Sequence, residues 1–192
     1  MDNRTNLFTD PLWKYKLPDT INTDWVVDKA YNLKNKDTNV FGGWQSFDEE
    51  QQFQFALPIP HGIQLQEYLD ERMNSIAKGL GLPAVSLLNY WYNINPPGAV
   101  NEAHHHQDAL LVGNLYLKVP KDSGAIRFYR GGHASYYIPK DSDYNDVIGT
   151  QIELTPEEKD VIIFMGWQKH SVLQNKSKED RVSLSFNYGA IR

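Results

Sequence analysis

Cysteine does not occur in the 192-residue chain, which excludes disulfides and any metal site built on thiolates. No apolar run reaches the roughly 20 residues that a membrane-spanning helix needs, so no membrane partner is expected. The opening "MDNRTNLFTD" is polar and acidic and lacks the basic and apolar stretches of a secretory signal, so the expected location is a cytoplasm. Dense Lys/Arg blocks are missing too, and the formal net charge is −5, so a grip on nucleic acid is not expected. No internal repeat, low-complexity tract or linker breaks the chain, and its length suits one domain, 1–192.

Hydrophobic residues make up 41% and charged ones 22%, the balance of an ordinary soluble globular protein. Aromatic residues are plentiful, with 11 Tyr, 8 Phe and 5 Trp, which suits a β-rich core or an aromatic-lined pocket. The apolar period changes near residue 84. Before it, "TDWVVDKAYNLKNK" (23–36) offers Thr23 or Asp24 as a cap and Val26, Val27, Ala30, Tyr31 and Leu33 as an apolar set. "HGIQLQEYLDERMNSIAKGLGL" (61–82) brings Ile63, Leu65, Leu69, Met73, Ile76, Ala77 and Leu80 near one face, with Gly79 or Gly81 to end it. The Gly- and polar-rich stretch 41–53 joins these two predicted helices.

After residue 84 the pattern is strand-like over 85–94, 109–119, 125–130, 150–154, 160–165, 168–174 and 181–190, with turn signals between. Many short strands with turn-rich joints predict a mainly β fold with flanking N-terminal helices. The expected architecture is a double-stranded β-helix, the cupin-like jelly roll, over 84–192, supported by helical residues 1–83. The tyrosine-rich stretch 131–149 reads either as a lid or as a hairpin with a decorated turn.

Chemistry concentrates in "HHHQD" (104–108). On a strand, side chains two apart point the same way, so His104, His106 and Asp108 share a face while His105 turns outward. Two ligand pairs are therefore open, His104 with His106 or His106 with Asp108, and either needs a third group. His170, in "MGWQKHSVLQN", is the best placed. Two imidazoles and a carboxylate on one side of a metal suit Fe(II), whereas three imidazoles suit zinc or copper equally well.

The last strand adds an independent clue. In "RVSLSFNY" (181–188), Arg181, Ser183, Ser185 and Asn187 alternate with Val182, Leu184, Phe186 and Tyr188. The polar face either meets water or lines a cavity in which Arg181 grips a carboxylate and Ser183 supports it. Asn93, Asn114 and Tyr116 lie on strands flanking that cavity, and the Tyr116 phenol is a further donor for an anion.

These segments resemble the Fe(II)/2-oxoglutarate-dependent oxygenases, and within them the prolyl-hydroxylase-like group of marine bacteria and cyanophages. The resemblance runs through "LFTDPLWKYKLPD" (7–19), "NVFGGWQS" (39–46), "YWYNINPPG" (90–98), "HHHQD", "VPKDSGAIRF" (119–128), "FMGWQKHSVLQN" (164–175) and "RVSLSFN" (181–187). It implies Fe(II) held by His106, Asp108 and His170. It also implies 2-oxoglutarate held by Arg181 with Ser183; Tyr116 and Asn93, from their place on the flanking strands, are further candidates for that site. The implied reaction consumes dioxygen and 2-oxoglutarate and hydroxylates an amino-acid residue, prolyl-like, of a peptide, or a small metabolite. For a phage protein the location becomes the host cytoplasm. Members with His at the position of His104 and Asn at that of Asp108 keep His104 in play as a ligand. Asp108 is preferred, because a carboxylate lowers the net charge at a ferrous ion. Two readings compete: a cupin-type metal enzyme using His104, His106 and His170 without 2-oxoglutarate, and a non-catalytic jelly-roll binding or structural module.

Overall fold

Strict alternation along "RVSLSFNYGA" lets one strand serve two layers, and this strand lies at the centre of the fold. The computed structural model describes residues 9–33, 37–38, 43–46, 61–131 and 148–191. In chain order the elements are β1 (Leu12–Lys16), α1 (Asp24–Asn32), β2 (Asp37–Thr38), β3 (Trp44–Gln45), α2 (His61–Gly79), β4 (Val85–Asn95), β5 (Asn101–His104), β6 (Leu111–Lys118), β7 (Ile126–Tyr129), β8 (Gln151–Leu154), β9 (Asp160–Met165), β10 (His170–Val172) and β11 (Arg181–Ala190).

The strands form two antiparallel sheets, ordered β1-β9-β6-β11-β4-β3-β2 and β5-β10-β7-β8. Together with the flanking helices this is the expected jelly-roll architecture. β11 pairs with β4 on one side and β6 on the other. Its even-numbered residues Val182, Leu184, Phe186 and Tyr188 join one core with Val26, Ala30, Leu65, Leu69 and Met73 of the two helices. Its odd-numbered residues face the smaller sheet. A second apolar cluster there, Val112, Tyr116, Ile126, Phe128, Ile162 and Phe164, holds the two sheets together.

α2 ends in a Schellman turn. Leu82 N–H donates to Ala77 O at 2.9 Å and Gly81 N–H to Lys78 O at 3.1 Å, with Gly81 at φ +71°. Beyond that, the Tyr188 hydroxyl donates to Asp70 Oδ1 at 2.6 Å, and the Asn74 carboxamide clamps both backbone groups of Val85. These bonds fix the helix against β4 and β11. Ile63 and Leu80, expected on the apolar face, are largely exposed. β1 is an addition to the expected strands. It pairs with β9 from Leu12↔Phe164 to Lys16↔Asp160 and covers that edge of the larger sheet. The tyrosine-rich stretch lies outside the described residues from 132 to 147, as does most of 41–53. Among the described residues no helix is long and apolar enough to cross a membrane.

Candidate metal centre and anion pocket

The three histidines of interest come from two neighbouring strands and the loop that follows one of them. His170 opens β10 and stands opposite His104 on β5 and Phe128 on β7. β5 stops at His104, so the period-two alternation does not run on to Asp108. Instead His106 N–H donates to Gly166 O at 2.9 Å, and Ala109 N–H returns to His106 O at 3.4 Å. The chain thus turns at Gln107–Asp108, and both residues are exposed. One ring nitrogen from each of His104, His106 and His170 lies within 4.8 Å of the others. Asp108 is not brought into this group, and His105 is exposed, as strand parity predicted.

The donor set fits a divalent metal. Nδ1 of His104 lies 2.7 Å from Glu102 O, and Nδ1 of His170 lies 2.9 Å from Gln168 O. A carbonyl only accepts, so each Nδ1 carries the proton and each Nε2 keeps a lone pair for a metal. Burial pushes the His106 pKa down to about 4, aided by His104 and opposed by the Asn187 carboxamide. Burial likewise pushes His170 down to about 3, aided by His104 and opposed by its bond to the Gln168 carbonyl. Both imidazoles are therefore neutral at pH 7, the state in which they ligate. Trp91 stacks on His106 with ring centroids 5.7 Å apart and planes 21° apart, which restrains the ring. Trp91 thus lines the pocket. Trp167 is 60% exposed, and its indole N–H donates to Asp10 Oδ1 at 3.4 Å.

The three histidines and Arg181 line one pocket between the sheets. Residues paired across strands share a face, so β11, β4 and β6 stack their inward side chains in rows. Arg181 pairs with Asn95, Ser183 with Asn93 and Tyr116, and Ser185 with Trp91 and Asn114. Arg181 is only 3% exposed. Its Nη2 donates to Asn95 Oδ1 at 2.9 Å and its Nη1 to the carbonyls of Ser123 and Gly124 at 3.3 Å. Its Nε has no partner, no carboxylate pairs with it among the described residues, and burial lowers its pKa. Burial also pushes the Tyr116 phenol up to about 12, against the pull of Arg181, so it stays a donor. A buried guanidinium with neutral partners, beside a hydroxyl and a phenol, is a receptor for a carboxylate.

Ser183, Tyr116 and Asn93 therefore lie where the sequence pattern placed them. Asn95, Asn101 and Gln45 also line the pocket, beyond the residues that the sequence pattern marks. For Asn95 the signal was present: Asn89, Trp91, Asn93 and Asn95 alternate along β4 as the polar residues of β11 do. Gln45 belongs to a two-residue strand, too short to show any period.

A family model described as "Putative 2OG-Fe(II) oxygenase" matches residues 89–187. Curated proteins give no sequence match to the chain. Among solved structures, the chain is similar to a Pseudomonas putida prolyl-4-hydroxylase at 18% identity and a TM-score of 0.64, covering 96% of this chain and 95% of that one. It is also similar to the viral collagen prolyl hydroxylase of Paramecium Bursaria Chlorella virus-1 in its 2-oxoglutarate complex, at 16% identity and a TM-score of 0.60, covering 94% and 96%. HygX from Streptomyces hygroscopicus, solved with nickel and 2-oxoglutarate bound, gives 11% identity and a TM-score of 0.60, covering 95% and 83%. At such identities the likeness is one of fold.

Proposed function

The chain belongs to the 2OG-Fe(II) oxygenase family, and from that premise we propose that His104, His106 and His170 hold the Fe(II) while Arg181 anchors the far carboxylate of 2-oxoglutarate. One observation carries this reading: a buried arginine with no acidic partner among the described residues shares a single pocket with three converging imidazoles. His104 is preferred to Asp108 because its ring already faces His170, with centroids 4.4 Å apart, whereas Asp108 sits on an exposed turn.

Fe(II) and 2-oxoglutarate, when bound, would activate dioxygen, the oxidant: two of its four oxidising equivalents would be spent on 2-oxoglutarate, giving succinate and carbon dioxide, and two on hydroxylating the substrate C–H bond. The chain's own residues set the geometry. Arg181, with the hydroxyls of Ser183 and Tyr116, fixes one end of a dicarboxylate, and Asn93 backs the middle of the pocket floor. Phe128, Phe164 and Val112 keep the inner wall dry. The Glu102 and Gln168 carbonyls hold two imidazoles in the ligating tautomer. The substrate we propose is an amino-acid residue of a peptide, prolyl-like, or a small metabolite. This is supported by the fold shared with prolyl hydroxylases over almost the whole chain.

The test is succinate formation from 2-oxoglutarate by the Fe(II)-loaded protein, alone and with prolyl peptides. Activity that survives Asp108→Ala but not His104→Ala supports the three-histidine set. The reverse result moves the third ligand to Asp108.

A further inference from the structure

Four side chains form one continuous hydrogen-bonded row across the pocket floor. Gln45 Nε2 donates to Asn93 Oδ1 at 2.9 Å, Asn93 Nδ2 donates to Ser185 Oγ at 2.9 Å, and the Ser185 hydroxyl donates to Asn114 Oδ1. The four lie on β3, β4, β11 and β6, which are neighbours in the larger sheet, so the row runs across the strands. Its middle members, Asn93 and Ser185, are each 5% exposed. Its ends, Gln45 and Asn114, are half-buried and line the pocket.

Such a row has two directions. Turning over all three carboxamides and rotating the hydroxyl makes an equal set of bonds running the opposite way. A mixed arrangement sets donor against donor, or acceptor against acceptor, in a buried place, which is disfavoured. The row therefore reverses as a unit or not at all. In the direction found, Asn114 keeps its Nδ2 donors and Gln45 keeps its Oε1 acceptor, and neither atom has another partner among the described residues. In the other direction the two ends exchange roles.

We propose that the row is a relay that makes Gln45 a specificity-determining residue. The Ser185–Asn114 pair is one step along β11 from the Ser183–Tyr116 pair and two steps from Arg181. An anionic cosubstrate lying from Arg181 toward the histidines offers only acceptors to Asn114. It therefore selects the direction in which Asn114 donates. A charge-assisted bond made in only one of two states biases their ratio about tenfold or more. Through Ser185 and Asn93 that choice reaches Gln45, which then presents its carboxamide oxygen. The substrate group it recognises is a hydrogen-bond donor, a peptide N–H or a hydroxyl, and it is recognised only once the cosubstrate is in place. The relay rests on the reading of Arg181 as the cosubstrate's anchor.

The test uses the full chain loaded with Zn(II), which is redox-inert, and 2-oxoglutarate, read by side-chain amide NMR and by calorimetry. In the wild type, 2-oxoglutarate moves the Asn114 and Gln45 amide signals together. In Ser185→Ala it still binds within about tenfold of wild type, the worth of one neutral hydrogen bond. There the Asn114 signals still move and the Gln45 signals do not. Ser185→Thr keeps the hydroxyl and restores the Gln45 response. A Gln45 response that persists in Ser185→Ala, or none in a wild type that binds 2-oxoglutarate, overturns the relay alone. A wild type that does not bind 2-oxoglutarate overturns the reading of Arg181 and the relay with it.

Discussion

His170 and His104 face each other across the pairing of β10 with β5, with their ring centroids 4.4 Å apart. A metal held between them and His106, as proposed, would tie the smaller sheet to the 105–110 loop. It binds the folded state alone, so Zn(II) or Co(II) at about 100 times its Kd adds about 2.7 kcal/mol. For a chain of this size that raises Tm by roughly 5–10 °C. His104→Ala and His170→Ala lose the shift in calorimetric scans, and Asp108→Ala keeps it. Loss of the shift in Asp108→Ala would place the carboxylate in the site.

Arg181→Ala is expected to raise the Kd for 2-oxoglutarate about 100-fold or more, because it removes the only cation that lines the pocket among the described residues. Arg181→Lys recovers part of that, since an ammonium cannot make the paired bonds of a guanidinium. Neither variant changes the metal-induced Tm shift. Titration calorimetry with Zn(II)-loaded protein reads the affinities and thermal scans read the Tm shift, and an unaltered Kd in Arg181→Ala would remove Arg181 from the cosubstrate site.

Gly166 is the tight point of the His106 loop. A Cβ there would lie 2.0 Å from Ala109 O and 3.1 Å from His106 O, and the same residue's carbonyl accepts the His106 N–H. Backbone cannot yield cheaply, so Gly166→Ala is expected to cost about 1–3 kcal/mol and to weaken metal binding as well. Gly113→Ala is the contrast. Its Cβ would meet the Phe186 ring at 2.1 Å on the helix-covered face. Urea melts should show a similar loss of stability, with metal affinity unchanged.

The metal-free protein should lose stability in mild acid. His106 and His170 are pushed down to about 4 and about 3 by burial. In the unfolded chain both titrate near 6.5. Between those values the unfolded state binds more protons, so stability is complete above about pH 6.5 and falls as the pH drops toward 3. Urea unfolding at pH 4.5 should give a free energy roughly 5 kcal/mol below that at pH 7.5, about 1.4 kcal/mol for each group per pH unit between 6.5 and 4.5. His170→Asn should flatten the profile, and an equally steep profile in that variant would mean that His170 is hydrated.

Much of the architecture was legible in local pattern. The change of period near residue 84, the turn residues between strands and the alternation of "RVSLSFNY" describe a β-sandwich with helices on one face. They place Arg181, Ser183, Asn93 and Tyr116 on inward faces, because side-chain direction in a strand follows from position alone. β1 was not legible. "LWKYK" alternates over only five residues, and it becomes a strand because β9 presents an open edge.

The third metal position marks the same divide. Sequence alone put His170 and Arg181 on strands whose faces are set by the period of two, and tied His106 to them through its place in the histidine cluster, although His106 lies on the loop after β5. It preferred Asp108 to His104 on charge and resemblance, but which of the two faces the pocket depends on where the extended chain stops. It stops at His104, where Gly166 takes the His106 N–H and turns the backbone, leaving Asp108 in solvent. Gly166 lies 60 residues away in the chain (166 − 106), and only the tertiary structure brings its carbonyl to the loop.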